Sequence, residues 1–126
     1  MNKKIACWGA TLALLAVVIG AFSAHTLKDI FTLEQMRSFE TAVRYQMYHA
    51  IILLIIGFHA DRLKKVALMS FFFIAGTILF SFSIYLLCIQ DFIGQSFSIL
   101  GPITPIGGIL LITAWITLLL SLTKKK

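Results

Sequence analysis

Acidic residues are scarce in this chain: five Asp and Glu stand against eleven Lys and Arg in 126 residues. They supply no paired carboxylates, and the sequence holds no nucleophile–base pair and no phosphate-binding loop, so an enzymatic reading has nothing to rest on. No apolar run carries an acidic ring or a continuous polar face, which disfavours a pore. Cysteine is scarcer still. Cys7 and Cys88 show neither CxxC nor Cys-His spacing, so neither a zinc site nor a redox motif is expected, and both read as small apolar residues in helices. Charged residues of either sign make up only 13% of the chain, while 60% is hydrophobic and the mean hydropathy is +0.96. Those figures exclude an ordinary soluble fold.

What is present is apolar sequence in runs long enough to cross a bilayer, each about 17 to 25 residues. Spans are read at about 5–24, 45–60, 66–89 and 104–122, within one membrane domain covering 1–126. The first run, behind Lys3 and Lys4 and ending in Ala21-Phe22-Ser23, mimics a secretory signal. Three further spans follow it, so it reads as a retained helix. Span two is short, but Thr32-Leu33-Glu34-Gln35 fits a capping box and no Gly or Pro follows until Gly57, so its helix can begin at Leu33. The segment 33–44 is amphipathic: Leu33, Met36, Phe39 and Val43 share one face, and Glu34, Arg37, Glu40 and Arg44 another. Glu40 and Arg44 have the favourable i,i+4 order for an ion pair. In span four, Thr104 is expected as N-cap with Pro105 at the first helical position. The fold class expected is thus an all-α integral membrane protein, a four-helix bundle with an amphipathic segment before the second span.

The net charge of +6 is no nucleic-acid signal, because the basic residues sit between apolar runs and the aromatics lie inside them. It orients the chain instead. With alternating sides, Lys3, Lys4, Arg62, Lys64, Lys65 and Lys124 to Lys126 fall on one face, and only Lys28, Arg37 and Arg44 on the other. The positive-inside rule then predicts both termini on the cytoplasmic side of the membrane, or its equivalent.

Four stretches carry a resemblance. Gly20-Ala21-Phe22-Ser23-Ala24-His25 matches a GAFGAH pattern with Ser23 in place of the second glycine. The stretch from Thr41 to Ala50 matches TAxxYQxxHA, and that from Leu79 to Tyr85 matches LFSGSLY with Phe82 where the pattern has glycine. Gly101 to Gly108 fits GPxTPIGG, with Trp115 downstream behind Ala114, where the pattern has glycine. In order and over nearly the whole chain, these resemble the small membrane proteins of the domain-of-unknown-function 423 family, relatives of transmembrane protein 256. The resemblance implies four membrane helices in a bacterial inner (cell) membrane or a mitochondrial-type one, and no established activity.

Alternating topology brings all four stretches to one membrane face, opposite the lysines. The candidate cluster comprises His25, Thr41, Arg44, Tyr45, Gln46, His49, Ser81, Tyr85 and Thr104, beside Gly101, Pro102, Pro105, Gly107 and Gly108 at the loop and helix start. Two readings stand. Either these polar groups satisfy one another, because unpaired ones at membrane depth cost several kcal/mol, or they take a small ligand such as a quinone, haem, metal ion or lipid headgroup. The first is preferred because the cluster lies near the membrane edge. His25 and His49 fall short of a metal set unless Glu40, Asp91 or Cys88 complete it, and no metal or cofactor is expected. Ala16, Gly20 and Ala24 form a small-residue stripe for helix packing, and Thr113, Thr117 and Ser121 a hydroxyl stripe. The function expected is a non-enzymatic structural or partner-binding component of the bilayer. Its partners would be lipid, a homo-oligomer or other membrane proteins, and no nucleic acid.

Overall fold

The structure is a computed structural model that describes residues 1–124; Lys125 and Lys126 lie outside the described residues. It contains four helices long and apolar enough to cross a membrane: helix one, Lys3–His25, helix two, Leu33–Phe58, helix three, Val66–Ile93, and helix four, Ile103–Thr123. This is an integral membrane protein of the all-α class.

Local chemistry sets the ends. The Asn2 side chain accepts the Ile5 N–H at 3.2 Å and starts helix one. Thr32 and Gln35 form a reciprocal capping box at the head of helix two, with distances of 2.9 and 3.2 Å. From there the helix runs unbroken for 26 residues, about 39 Å, so the amphipathic segment and the second span are one element. The expected Glu40–Arg44 ion pair does not form; Arg44 turns instead to the Thr41 hydroxyl at 3.3 Å. Between two exposed side chains that exchange costs little. Replacing Thr32 with alanine should cost about 1 kcal/mol, read as faster amide exchange confined to the first turn of helix two.

Helix three extends one turn past the expected 89, to Ile93, because Gln90 and Asp91 are tolerated in a helix and Gly94 at φ +70° supplies the left-handed stop. Midway, Ile78–Phe82 forms a π-helical turn. Helix four departs from expectation in a different way. It starts at Ile103 behind Pro102, so Pro105 is the third helical residue, where its missing N–H is still harmless. Thr104 caps nothing. Its hydroxyl crosses to Ser83 at 2.6 Å.

Helix one packs along helix two and helix four along helix three; the two pairs meet through helices two and three. Each pair is pressed together at glycines. A Cβ on Gly9 would lie 2.7 Å from the Ala50 carbonyl oxygen, and one on Gly57 2.7 Å from the Ala6 nitrogen. On the other pair, a Cβ on Gly76 would lie 2.9 Å from the Leu111 nitrogen, and one on Gly107 would run into the Phe80 nitrogen, on the π turn. The predicted stripe on helix one is only partly right. Ala16 is buried and Gly20 half-buried, but Ala24 is exposed, and the contact face runs Ile5, Gly9, Leu12, Ala16, Ser23. Each i,i+4 step advances a residue about 40° around a helix of 3.6 residues per turn, so a strict fourth-residue row rotates off a seam within two steps. On helix four, Thr113 and Thr117 bond to carbonyls of their own helix, and only Ser121 reaches out, accepting the Lys64 backbone N–H at 2.7 Å.

The lower core joins Leu12, Leu53, Ile56, Met69, Phe73 and Leu111. A second core at the other end gathers Leu27, Phe31, Phe39, Ala42, Tyr85 and Cys88. Gln46 joins the two, bonded to Leu12 of the first core and to Tyr85 of the second.

Candidate functional site

Helix two places Ala42, Gln46 and His49 on its inward face at steps of four and three. Gln46 is fully buried and links three helices: its Nε2 donates to the Leu12 carbonyl at 2.8 Å, and its Oε1 accepts the Tyr85 hydroxyl at 2.6 Å. Ser81, equally buried, donates to the Ala42 carbonyl at 2.8 Å. Leu12 and Ala42 sit within helices, so each carbonyl uses its second lone pair here. Tyr85 is fixed further by rings, its centroid 4.8 Å from Phe39 and 5.4 Å from Phe82. Phe82, bulky where the family pattern has glycine, fills space beside Tyr85, while Ala114 lies fully buried.

His49 belongs to a second group. Its Nδ1 lies 2.6 Å from the Tyr45 carbonyl, and the Trp115 indole N–H donates to its Nε2 at 3.1 Å. A carbonyl only accepts and an indole only donates, so both partners select the neutral ring with its proton on Nδ1. Phe73 abuts His49 and meets Trp115 edge-on, at centroid distances of 5.8 and 5.4 Å, while Tyr45 stacks on Phe80 at 4.9 Å. Above this floor, a cleft of about 710 Å³ opens between helices two and four, lined by Tyr45, Tyr48, His49, Ile51, Ile52, Phe80, Gly108, Leu111, Ile112 and Trp115.

The remaining predicted residues lie elsewhere. Ser83 and Thr104 form a separate hydroxyl pair, with the Ser83 hydroxyl also within 2.9 Å of the Phe80 carbonyl on the π turn. Thr41 and Arg44 line the exposed side of helix two, where Thr41 donates to the Arg37 carbonyl. Gly101, Thr104 and Pro105 border another cavity, of about 590 Å³, with Thr32, Glu34, Gln35 and Ser38; Pro102 is exposed beside it. Gly107 is pressed on the π turn, whereas Gly108 faces the cleft. His25 joins no group. Gln46 meets Leu12, so His25 lies thirteen residues, about 20 Å, further along helix one, and it is exposed. Among the described residues, no three His, Cys, Asp or Glu side chains are grouped to hold a metal ion.

Three partners escaped sequence reasoning: Trp115, Ser83 and the Leu12 carbonyl. For Trp115 a signal existed, since it stands seven residues after Gly108 and shares its face. A backbone acceptor leaves no mark in a sequence.

Residues 19–108 match the family model described as protein of unknown function (DUF423), a segment that takes in all four motif stretches. A membrane protein of Bacillus subtilis, UPF0382 membrane protein YwdK, is 40% identical over 92% of this chain and 93% of its own. The UPF0382 membrane protein of Haemophilus influenzae is 33% identical over 100% and 98%. A fission-yeast relative, UPF0382 membrane protein C1782.12c of Schizosaccharomyces pombe, is 35% identical over 87% and 93%. No solved structure matches the fold. With its helices, its four motifs and relatives that align over nearly their whole length, the chain belongs to the DUF423 family of membrane proteins.

Proposed function

We propose that the protein is a non-enzymatic membrane component whose polar cluster is architectural and whose action lies in what its outer surfaces contact. One observation carries this reading: Gln46, His49, Ser81 and Tyr85 all direct their hydrogen bonds to groups within the chain. A catalytic or ligand-directed cluster would point at least one such group into open space. Broad apolar faces remain, with Leu14, Val17 and Val18 exposed on helix one and Ile109, Ile112 and Leu119 on helix four. They offer contact area for lipid, for a second copy or for another membrane protein.

The cell membrane, with both termini cytoplasmic, is the setting proposed. In support, the Met1 ammonium pairs with Asp61 at 2.6 Å, Asn2 N–H donates to the Gly57 carbonyl, and Ser121 reaches Lys64, which gathers the lysine-bearing ends together. A reporter fused after Lys126 should be active only on the cytoplasmic side.

His49→Ala should lower thermal stability in detergent by about 2 kcal/mol, because it strands the Trp115 N–H and opens a void. His25→Ala, at an exposed position, should stay within about 0.5 kcal/mol of the parent. Native mass spectrometry of both variants should show the same retained species as the parent. A species lost with His49 would overturn the architectural reading.

A further inference from the structure

The cleft beside Trp115 is lined by no charged side chain, but Arg44 directly precedes Tyr45, one of its lining residues. On helix two, Thr41, Arg44, Tyr45 and Tyr48 follow at steps of three, one and three and so share one side of the helix, Tyr45 and Tyr48 lining the cleft and Arg44 standing next to it. Arg44 and Tyr48 are exposed, and the contact with Thr41, one turn nearer the helix start, draws the guanidinium towards the bilayer surface. Among the described residues, Arg44 pairs with no carboxylate, and neither the Tyr45 nor the Tyr48 hydroxyl has a hydrogen-bond partner. Below them the walls are apolar apart from the His49 imidazole and the Trp115 indole, whose polar atoms face each other.

An occupant must satisfy both halves. A bare hydrocarbon chain would leave the guanidinium unneutralised at the edge of a low-dielectric medium, and so would the neutral carbonyl of a quinone. A phosphate group matches the planar guanidinium fork and accepts from tyrosine hydroxyls. An acyl chain matches the walls below, in a cleft whose volume is ordinary for a small-molecule site. The geometry points to a binding site for an anionic phospholipid, with its phosphate at Arg44, Tyr45 and Tyr48 and one acyl chain lying between helices two and four against Trp115. This goes beyond the proposed function, which needs only bulk lipid or a protein neighbour at the surface.

Trp115 reports on its own cleft. The chain has two tryptophans, and Trp8, on helix one, does not line the cleft, so Trp8→Phe leaves Trp115 as the single indole. The protein carrying that substitution is reconstituted in phosphatidylcholine vesicles containing a small fraction of chain-brominated phosphatidylglycerol or, in parallel, chain-brominated phosphatidylcholine. Quenching of Trp115 should report about five-fold enrichment of the anionic lipid, the preference one basic residue near a membrane surface provides. Arg44→Gln should return the ratio to about one. Gly108→Leu is the second variant. A Cβ at Gly108 meets nothing closer than Phe80 Cδ2 at 3.9 Å, so the larger side chain can enter the cleft without disturbing the helices. It should lower quenching by both lipids while circular dichroism stays unchanged. Equal quenching by the two lipids before any change at Arg44, a preference that survives Arg44→Gln, or protection of Trp115 by an added quinone but not by phosphatidylglycerol would each overturn the assignment.

Discussion

Gly107→Ala should be among the most damaging single-methyl additions in this protein, costing about 3 kcal/mol, while the same change one residue later should cost nothing. A Cβ on Gly107 would run into the Phe80 nitrogen and lie 2.8 Å from the Leu79 carbonyl carbon. Both atoms are backbone, and both belong to the π-helical turn at Ile78–Phe82. No side chain can swing aside, so helices three and four must separate, at the upper end of overpacking penalties. At Gly108 the nearest neighbour of an added Cβ is 3.9 Å away. Gly108→Ala therefore adds no clash and removes backbone freedom from the unfolded chain, so it should stabilise by about 0.5 kcal/mol. Thermal unfolding of the two variants in one detergent should shift in opposite directions. Equal shifts would mean that the third and fourth helices do not meet at the π turn.

That pair marks the limit of what the sequence discloses. The run of apolar residues, the capping box at Thr32 and the proline-bearing start of helix four identify four helices, because each is a local effect of side chains on their own backbone. The motif Gly101 to Gly108 is equally visible, but which of its glycines bears a neighbouring backbone depends on a crossing point that no local pattern encodes. The candidate cluster divides in the same way. Gln46 and His49 could be placed inside helix two by spacing alone, and topology brought Ser81 and Tyr85 near. Grouping His25 and Thr104 with them treated one membrane face as one place. Along helix one, 20 Å separates His25 from the level of Gln46, and Thr104 is held by Ser83 instead. Ser70 and Thr77, buried on helix three without a hydrogen-bond partner, drew no comment from their surroundings in the chain and are unexplained by the fold.

Removing the Gln46 side chain should be as costly as the glycine clash, about 3 kcal/mol for Gln46→Ala. The change leaves a void in a fully buried position and strands the hydroxyl of Tyr85, a buried residue whose hydroxyl is bonded to nothing else among the described residues. Leu12 suffers less, since its carbonyl sits within helix one. The void and the hydrogen bond can be separated. Gln46→Leu keeps most of the volume and still strands Tyr85; Tyr85→Phe keeps the ring and strands the Gln46 carbonyl oxygen. Each alone should destabilise by about 1 to 2 kcal/mol, whereas the double variant, with no polar atom left to satisfy, should be less destabilised than the sum. The coupling expected is about 1.5 kcal/mol, near the top of the range for hydrogen bonds between membrane helices. The average there is lower because a chain opened within the bilayer usually finds substitute partners. Gln46 and Tyr85 are placed above that average because both are buried and the Tyr85 hydroxyl has no other partner among the described residues. A coupling near zero would show that Gln46 and Tyr85 merely adjoin, and would leave helices one and three without the polar link that joins them through helix two.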